Sequence, residues 1–208
     1  MKTRKLGELT VSEVGMGCMA FSHGYGQIPP EQYSIEAIQN VCHHGCTFFD
    51  TAEVYSPNLS GIGHNERIVG EALRDVRGEV VLATKLFLDR SEVHQDGSVY
   101  DTVRRHLQAS MERLQTDMVD LYYLHRTSGG VSVEEVAEAM GRLIDDGLIR
   151  GWGLSQVDVG VIDRAQRVTP LTAIQNIYSL VELTDEEFHS LEEALNQCKV
   201  YGHRGFTR

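Results

Sequence analysis

The stretch that decides the fold is residues 118–155, MVDLYYLHRTSGGVSVEEVAEAMGRLIDDGLIRGWGLS. Met118 to Leu124 is a short apolar and aromatic run with the character of a buried strand. Ser132 is a capping residue, and the helix it opens runs through Leu143 and stops at Gly147. Trp152 to Ser155 is a second strand. A strand, an amphipathic helix and another strand make one unit of a parallel sheet covered by helices.

The same unit extends in both directions. Upstream, Val80 to Thr84 reads as a strand and Asp101 to Leu114 as a helix with Val103, Leu107 and Leu114 at helical spacing. Before them, Cys46 to Asp50 reads as a strand, and Asn65 as the cap of a helix over Glu66 to Arg74. Val14 to Cys18 reads as the first strand of the series, followed by a helix from Pro29-Pro30-Glu31 to about His44. Lys5 to Val11 is expected to form a small hairpin around Gly7-Glu8. Downstream come a helix from Val159 to Arg167, a strand from Leu171 to Ile177 and a last helix from Thr184. Strand and helix thus alternate six times, which leaves a doubly wound sheet or a (β/α)8 barrel. No Gly-x-Gly-x-x-Gly follows the first strand, only Gly15-Met16-Gly17, so the Rossmann fingerprint is missing.

The 208 residues suit one domain, residues 1–208, with 41% hydrophobic and 24% charged side chains. A net charge of −11 argues against nucleic-acid or anionic-membrane binding. No apolar run is long enough to cross a bilayer and no signal peptide is legible, so a cytoplasmic location is expected. Cys18, Cys42, Cys46 and Cys198 match no zinc spacing, so no metal is expected. Cys42-His43-His44-Gly45-Cys46 reads as a helix end with Gly45 as the stop. His64, His94 and His106 read as surface residues, and Gly129-Gly130 as a loop before a helix.

Three predicted strands end in an ionisable residue: Asp50, Lys85 and His125. In a parallel barrel these ends share the face where active sites are built. Tyr55 follows in the loop after Asp50. Asp50 can hold Lys85, and the Lys85 cation is expected to lower the Tyr55 pKa towards neutrality, making Tyr55 a general acid. His125 can orient a substrate oxygen. The set suits protonation of a carbonyl oxygen while hydride reaches the carbon.

These residues lie in motifs that resemble the aldo-keto reductases of the bacterial and plant-type branch. The motifs are Phe48-Phe49-Asp50-Thr51-Ala52-Glu53-Val54-Tyr55, Asn65-Glu66-Arg67, Leu82-Ala83-Thr84-Lys85, Asp120-Leu121-Tyr122-Tyr123-Leu124-His125-Arg126, Gly147 to Ser155, and Ala173-Ile174-Gln175-Asn176. The resemblance implies a TIM-type (β/α)8 barrel and NADP(H)-dependent reduction of an aldehyde or ketone to an alcohol. It implies Tyr55 as proton donor, Asp50 and Lys85 as its tuning pair and His125 as carbonyl holder. It implies cofactor contacts from Met19, Asp50, Ser155, Gln156 and Gln175, with Gln156 standing where the family usually has Asn.

The resemblance fades after about Gln197, where the family would continue into its seventh and eighth strands. An incomplete barrel of about six β/α units is therefore expected, with open sheet edges that favour self-association. A second expectation follows, an inactive interaction or regulatory module of the kind seen in potassium-channel β subunits. Loops at Tyr25–Gln27, Ser56–His64 and Phe87–Gly97 would shape the pocket for a small carbonyl substrate.

Overall fold

The computed structural model describes residues 1–23, 26–57 and 61–176. It begins with the expected hairpin: β1 (Thr3–Leu6) and β2 (Leu9–Ser12) pair antiparallel, with Leu6 opposite Leu9. Gly7, at φ +57, makes the turn and packs against Thr172.

Six strands then form one parallel sheet in sequence order: β3 (Met16–Gly17), β4 (Phe48–Asp50), β5 (Val81–Leu86), β6 (Val119–Leu124), β7 (Ile149–Ser155) and β8 (Ala173–Gln175). The helices between them are α1 (Glu31–His43), α2 (His64–Leu73), α3 (Arg90–Asp96), α4 (Val99–Leu114), α5 (Val133–Asp145) and α6 (Val159–Val168).

The period-two alternation of the strands sorts their side chains. Leu82, Leu86, Tyr122, Leu124, Trp152 and Leu154 lie in the large core shared with α2, α4, α5 and α6. Val81, Ala83, Leu121, Tyr123 and Ala173 form a smaller cluster with Leu9 and Val11 of the hairpin. The hairpin therefore covers the inner face of the sheet. Gly153 is required there, because a Cβ would sit 2.5 Å from the Tyr123 ring.

The sheet curls strongly. Four strand spacings separate β4 from β8, about 19 Å if the sheet were flat. Yet Gln175 Nε2 at the end of β8 donates to Asp50 Oδ2 on β4 at 3.1 Å. Only a sheet rolled towards a barrel brings these ends together. The described residues have the architecture of six strands of a (β/α)8 barrel.

Several local expectations need correction. Strand β3 is only two residues long, and β5 runs through Leu86, so Lys85 lies inside its strand. Helix α3, capped by Asp89, went unanticipated. Asn65 does not cap α2. Gly63 occupies that position at φ +82, where a Cβ would collide with the Arg113 side chain at 2.0 Å. The Ser132 cap of α5 holds and forms a full capping box with Glu135. Gly45, at φ +89, follows α1 as the expected stop. The helix from Thr184, Cys198, the tail beyond Gln197 and the end of the strand expected to reach Ile177 lie outside the described residues. Among the described residues no helix is long and apolar enough to cross a membrane.

Candidate active site

The C-terminal ends of five strands converge. Asp50 closes β4, Lys85 is one residue from the end of β5, and His125 follows β6. Ser155 closes β7 and Gln175 closes β8. The register pairs Gly17 with Asp50 and Ser155 with Gln175, so the ends are level.

Lys85 is fully buried, and its ammonium is satisfied on every side. It forms a short ion pair with Asp50 Oδ1, donates to the Thr51 carbonyl at 2.8 Å, and lies 3.4 Å from the Tyr55 hydroxyl. Tyr55 is held by its backbone, donating to Ala52 and accepting from the Asn65 amide. The Tyr55 and His125 rings meet edge to face, with centroids 5.6 Å apart. The structure thus brings together all four expected residues.

The ionisation of Tyr55 differs from expectation. Its pKa is raised above the ordinary tyrosine value, not lowered. Burial dominates; Lys85 opposes it, but Asp50 beside Lys85 works in the same direction as burial. At an effective dielectric near 20, a cation about 4 Å away is worth about 4 kcal/mol to a phenolate. A carboxylate paired to that cation cancels much of the benefit. Tyr55 therefore rests as the neutral phenol, the form a proton donor requires. Burial first, then Lys85 and Arg126, push the His125 pKa down to about 3. His125 is consequently a neutral imidazole at working pH and can serve as a hydrogen-bonding group.

Ser155 and Gln175 have complementary spare capacity. Ser155 Oγ accepts from Arg126 Nη1 at 3.2 Å, leaving its own proton without an acceptor among the described residues. Gln175 spends its Nε2 on Asp50, leaving Oε1 without a donor among them. One free donor and one free acceptor at adjacent strand ends fit a primary carboxamide, the polar handle of a nicotinamide ring. Met19 is half-buried in a 3-10 turn (Met19–Phe21) anchored by the Cys18 amide to the Asp50 carbonyl at 2.8 Å. Gln156 is exposed, with φ +52, and meets the site only through its backbone, donating to the Gln175 carbonyl at 3.0 Å. A cavity of about 410 Å³ between the hairpin and β3–β4 reaches this group only at Asp50 and Gln175.

Supporting residues emerge that the sequence reading passed over. Asn65, freed from capping, bonds Thr51 Oγ1 at 2.6 Å, and the Cys18 carbonyl and Ser22 hydroxyl at 2.8 Å each. His106 is buried, not on the surface. Its ring nitrogens meet Glu53 at 2.8 Å and Glu92 at 3.0 Å. Glu53 in turn accepts from the Phe87 amide at 2.7 Å, so it ties the turn that carries Tyr55 both to α4 and to the loop after β5. His64 is half-buried against Ser22, and His94 is exposed as expected. Gly129-Gly130 forms a loop pressed onto the loop after β5. Arg90 N donates to the Gly129 carbonyl at 2.8 Å, and a Cβ on Gly129 would lie 1.6 Å from the Leu88 carbonyl oxygen.

Comparisons with known proteins identify the family and the fold. The family model described as the Aldo/keto reductase family matches residues 13–201. Aldo-keto reductase yakc of Schizosaccharomyces pombe, which carries NADP(+) in its name, is 36% identical over 193 residues, covering 88% of this chain and 54% of that one. An aldo-keto reductase structure from Bacillus halodurans in its holo form superposes with a TM-score of 0.72 at 32% identity, covering 93% of this chain and 63% of that one. A Klebsiella pneumoniae aldo/keto reductase in complex with NADP and acetate gives a TM-score of 0.67 at 30% identity, covering 90% and 61%. The chain spans about half the length of the curated relatives it matches.

Proposed function

The chain belongs to the aldo/keto reductase family, and from that premise we propose that it takes part in NADPH-dependent reduction of an aldehyde or ketone to an alcohol. The observation that carries the reading is the buried Asp50–Lys85 pair set against a neutral Tyr55 and a neutral His125. Bound NADPH supplies the hydride to the carbonyl carbon. Ser155 and Gln175 would hold its carboxamide through their free donor and free acceptor, with Asp50 and Met19 beside them; Gln156 would contribute through its backbone, which donates to the Gln175 carbonyl.

The other steps belong to the chain. The substrate carbonyl oxygen receives a hydrogen bond from neutral His125 and lies against the Tyr55 hydroxyl. As negative charge develops on that oxygen, the Tyr55 proton moves to it. Lys85 stabilises the phenolate left behind, and Asp50 and the Thr51 carbonyl keep the ammonium in place. Turning the substrate into an alkoxide makes it a strong enough base to take a proton from a tyrosine whose resting pKa is high.

The test is titration of the dispersed, folded chain with NADPH, following cofactor fluorescence, and then aldehyde-dependent NADPH oxidation. Saturable one-to-one binding with turnover is expected. A folded sample that binds no NADPH overturns the reading and leaves the interaction-module alternative, which saturable binding of a partner protein would support.

A further inference from the structure

Four arginines of the described residues are not solvent-exposed: Arg77, Arg90, Arg113 and Arg126. Three are neutralised, by Asp120, Glu135 and Glu66 respectively. Arg126 has no carboxylate partner among the described residues. This is unexpected in a chain with a net charge of −11, and it occurs at the mouth of the candidate active site.

The bonding of Arg126 is one-sided. Its Nη1 donates to two neutral oxygens, the His125 carbonyl and Ser155 Oγ. The Nε–Nη2 edge has no partner among the described residues. That edge is the part of a guanidinium that takes a carboxylate with two parallel hydrogen bonds. The group also lies near enough to Tyr55 and His125 to favour the phenolate of one and oppose protonation of the other. A substrate whose carbonyl oxygen rests on Tyr55 and His125 has this cation beside it.

We propose that Arg126 is a specificity residue that selects carbonyl compounds bearing a carboxylate, which it receives on its free Nε–Nη2 edge. The inference rests on the reductase reading. It predicts oxo acids and aldehyde acids as the substrate class and leaves Ser155 its own role towards the cofactor amide.

The test compares phenylglyoxylate with its methyl ester, and 4-oxobutanoate with its methyl ester, in the parent chain, Arg126→Met and Arg126→Lys. Acids are expected to exceed their esters in kcat/KM by about 10- to 100-fold, the effect of a hydrogen bond to a charged group. Arg126→Met abolishes the preference, lowering turnover of the acids far more than that of the esters, whereas Arg126→Lys keeps part of it. Equal turnover of acid and ester overturns the proposal. So does an Arg126→Met variant in which both fall together, because Arg126 then acts only by holding Ser155. A weakened affinity for NADPH with no change in preference assigns the cation to the cofactor and also overturns it. If a folded chain turns over none of the four compounds, the reductase reading fails separately. Titration of phenylglyoxylate by NMR then decides: Arg126-dependent binding supports the anion site, and its absence overturns it.

Discussion

Strand β6 carries a charged group near each end, and the two ends are built on opposite rules. At the start of the strand, Asp120 is buried and saturated. It accepts from the Leu82 amide at 2.9 Å, from Arg77 at 2.8 Å and from Arg150 at 2.9 Å. Arg77 goes on to bond the Met118 and Val80 carbonyls and Thr116. At the other end, His125 has a free imidazole and Arg126 a free guanidinium edge among the described residues. The first end uses charge to fix strands together. The second holds polar groups in place while leaving their bonding capacity open. In a parallel barrel that asymmetry separates a face that stabilises from a face that reacts.

The contrast can be broken most sharply by exchanging one group from each of the two faces. Tyr55→Phe removes the proposed proton donor while Lys85 keeps Asp50 and the Thr51 carbonyl. Turnover is expected to fall by about 10²- to 10⁴-fold with the melting temperature nearly unchanged; kinetics and calorimetry on one preparation check both. Asp120→Ala does the reverse. It leaves Arg77 partly buried without its carboxylate and is expected to cost about 3 kcal/mol or more of stability, measured by urea unfolding, with little effect on kcat in the protein that remains folded.

A smaller effect is set by pH. His106 has its pKa raised by Glu53 and Glu92, against burial, which opposes protonation most strongly. A folded-state pKa above the unfolded value means stabilisation that is complete below about pH 6.5 and lost as pH rises through the folded value. His125 has the opposite sign. Its depressed pKa makes the folded state less stable as pH falls below about 6.5, because the unfolded chain then binds the extra proton. Replacement His106→Gln is therefore expected to flatten the alkaline side of a plot of melting temperature against pH, and His125→Gln the acid side. The smallest effect expected is from Ser132→Ala, which removes one half of the α5 capping box and costs about 1 kcal/mol.

The repeating unit was legible because buried parallel strands are continuously apolar and their helices amphipathic. The candidate tetrad was legible because Asp50, Lys85 and His125 stand at or next to strand ends and Tyr55 follows Asp50 in the next loop. What stayed hidden depends on contacts between distant segments. His106 lies on the buried face of α4 with Val103, Leu107 and Ser110, but its carboxylate partner Glu53 comes from another loop. Asn65 has the composition of a cap, but Gly63 already turns the chain, forced by Arg113 against it. The direction of the Tyr55 shift depends on how burial weighs against a cation whose own partner is a carboxylate. That balance needs distances, not spacing. Arg126 was in view within a motif, yet its free edge became visible only when every other non-exposed arginine was found paired.

The Gly129 contact has a practical consequence for re-engineering. The loop after β6 touches the loop after β5 at a point where even a methyl group has no room. Arg90, at the start of α3, also reaches back to the Gly130 carbonyl and to Glu135 in the first turn of α5. The two loops therefore behave as a single cassette. A graft of either one from a relative would import half of a fitted joint, and a library designed to change substrate range would have to vary both together.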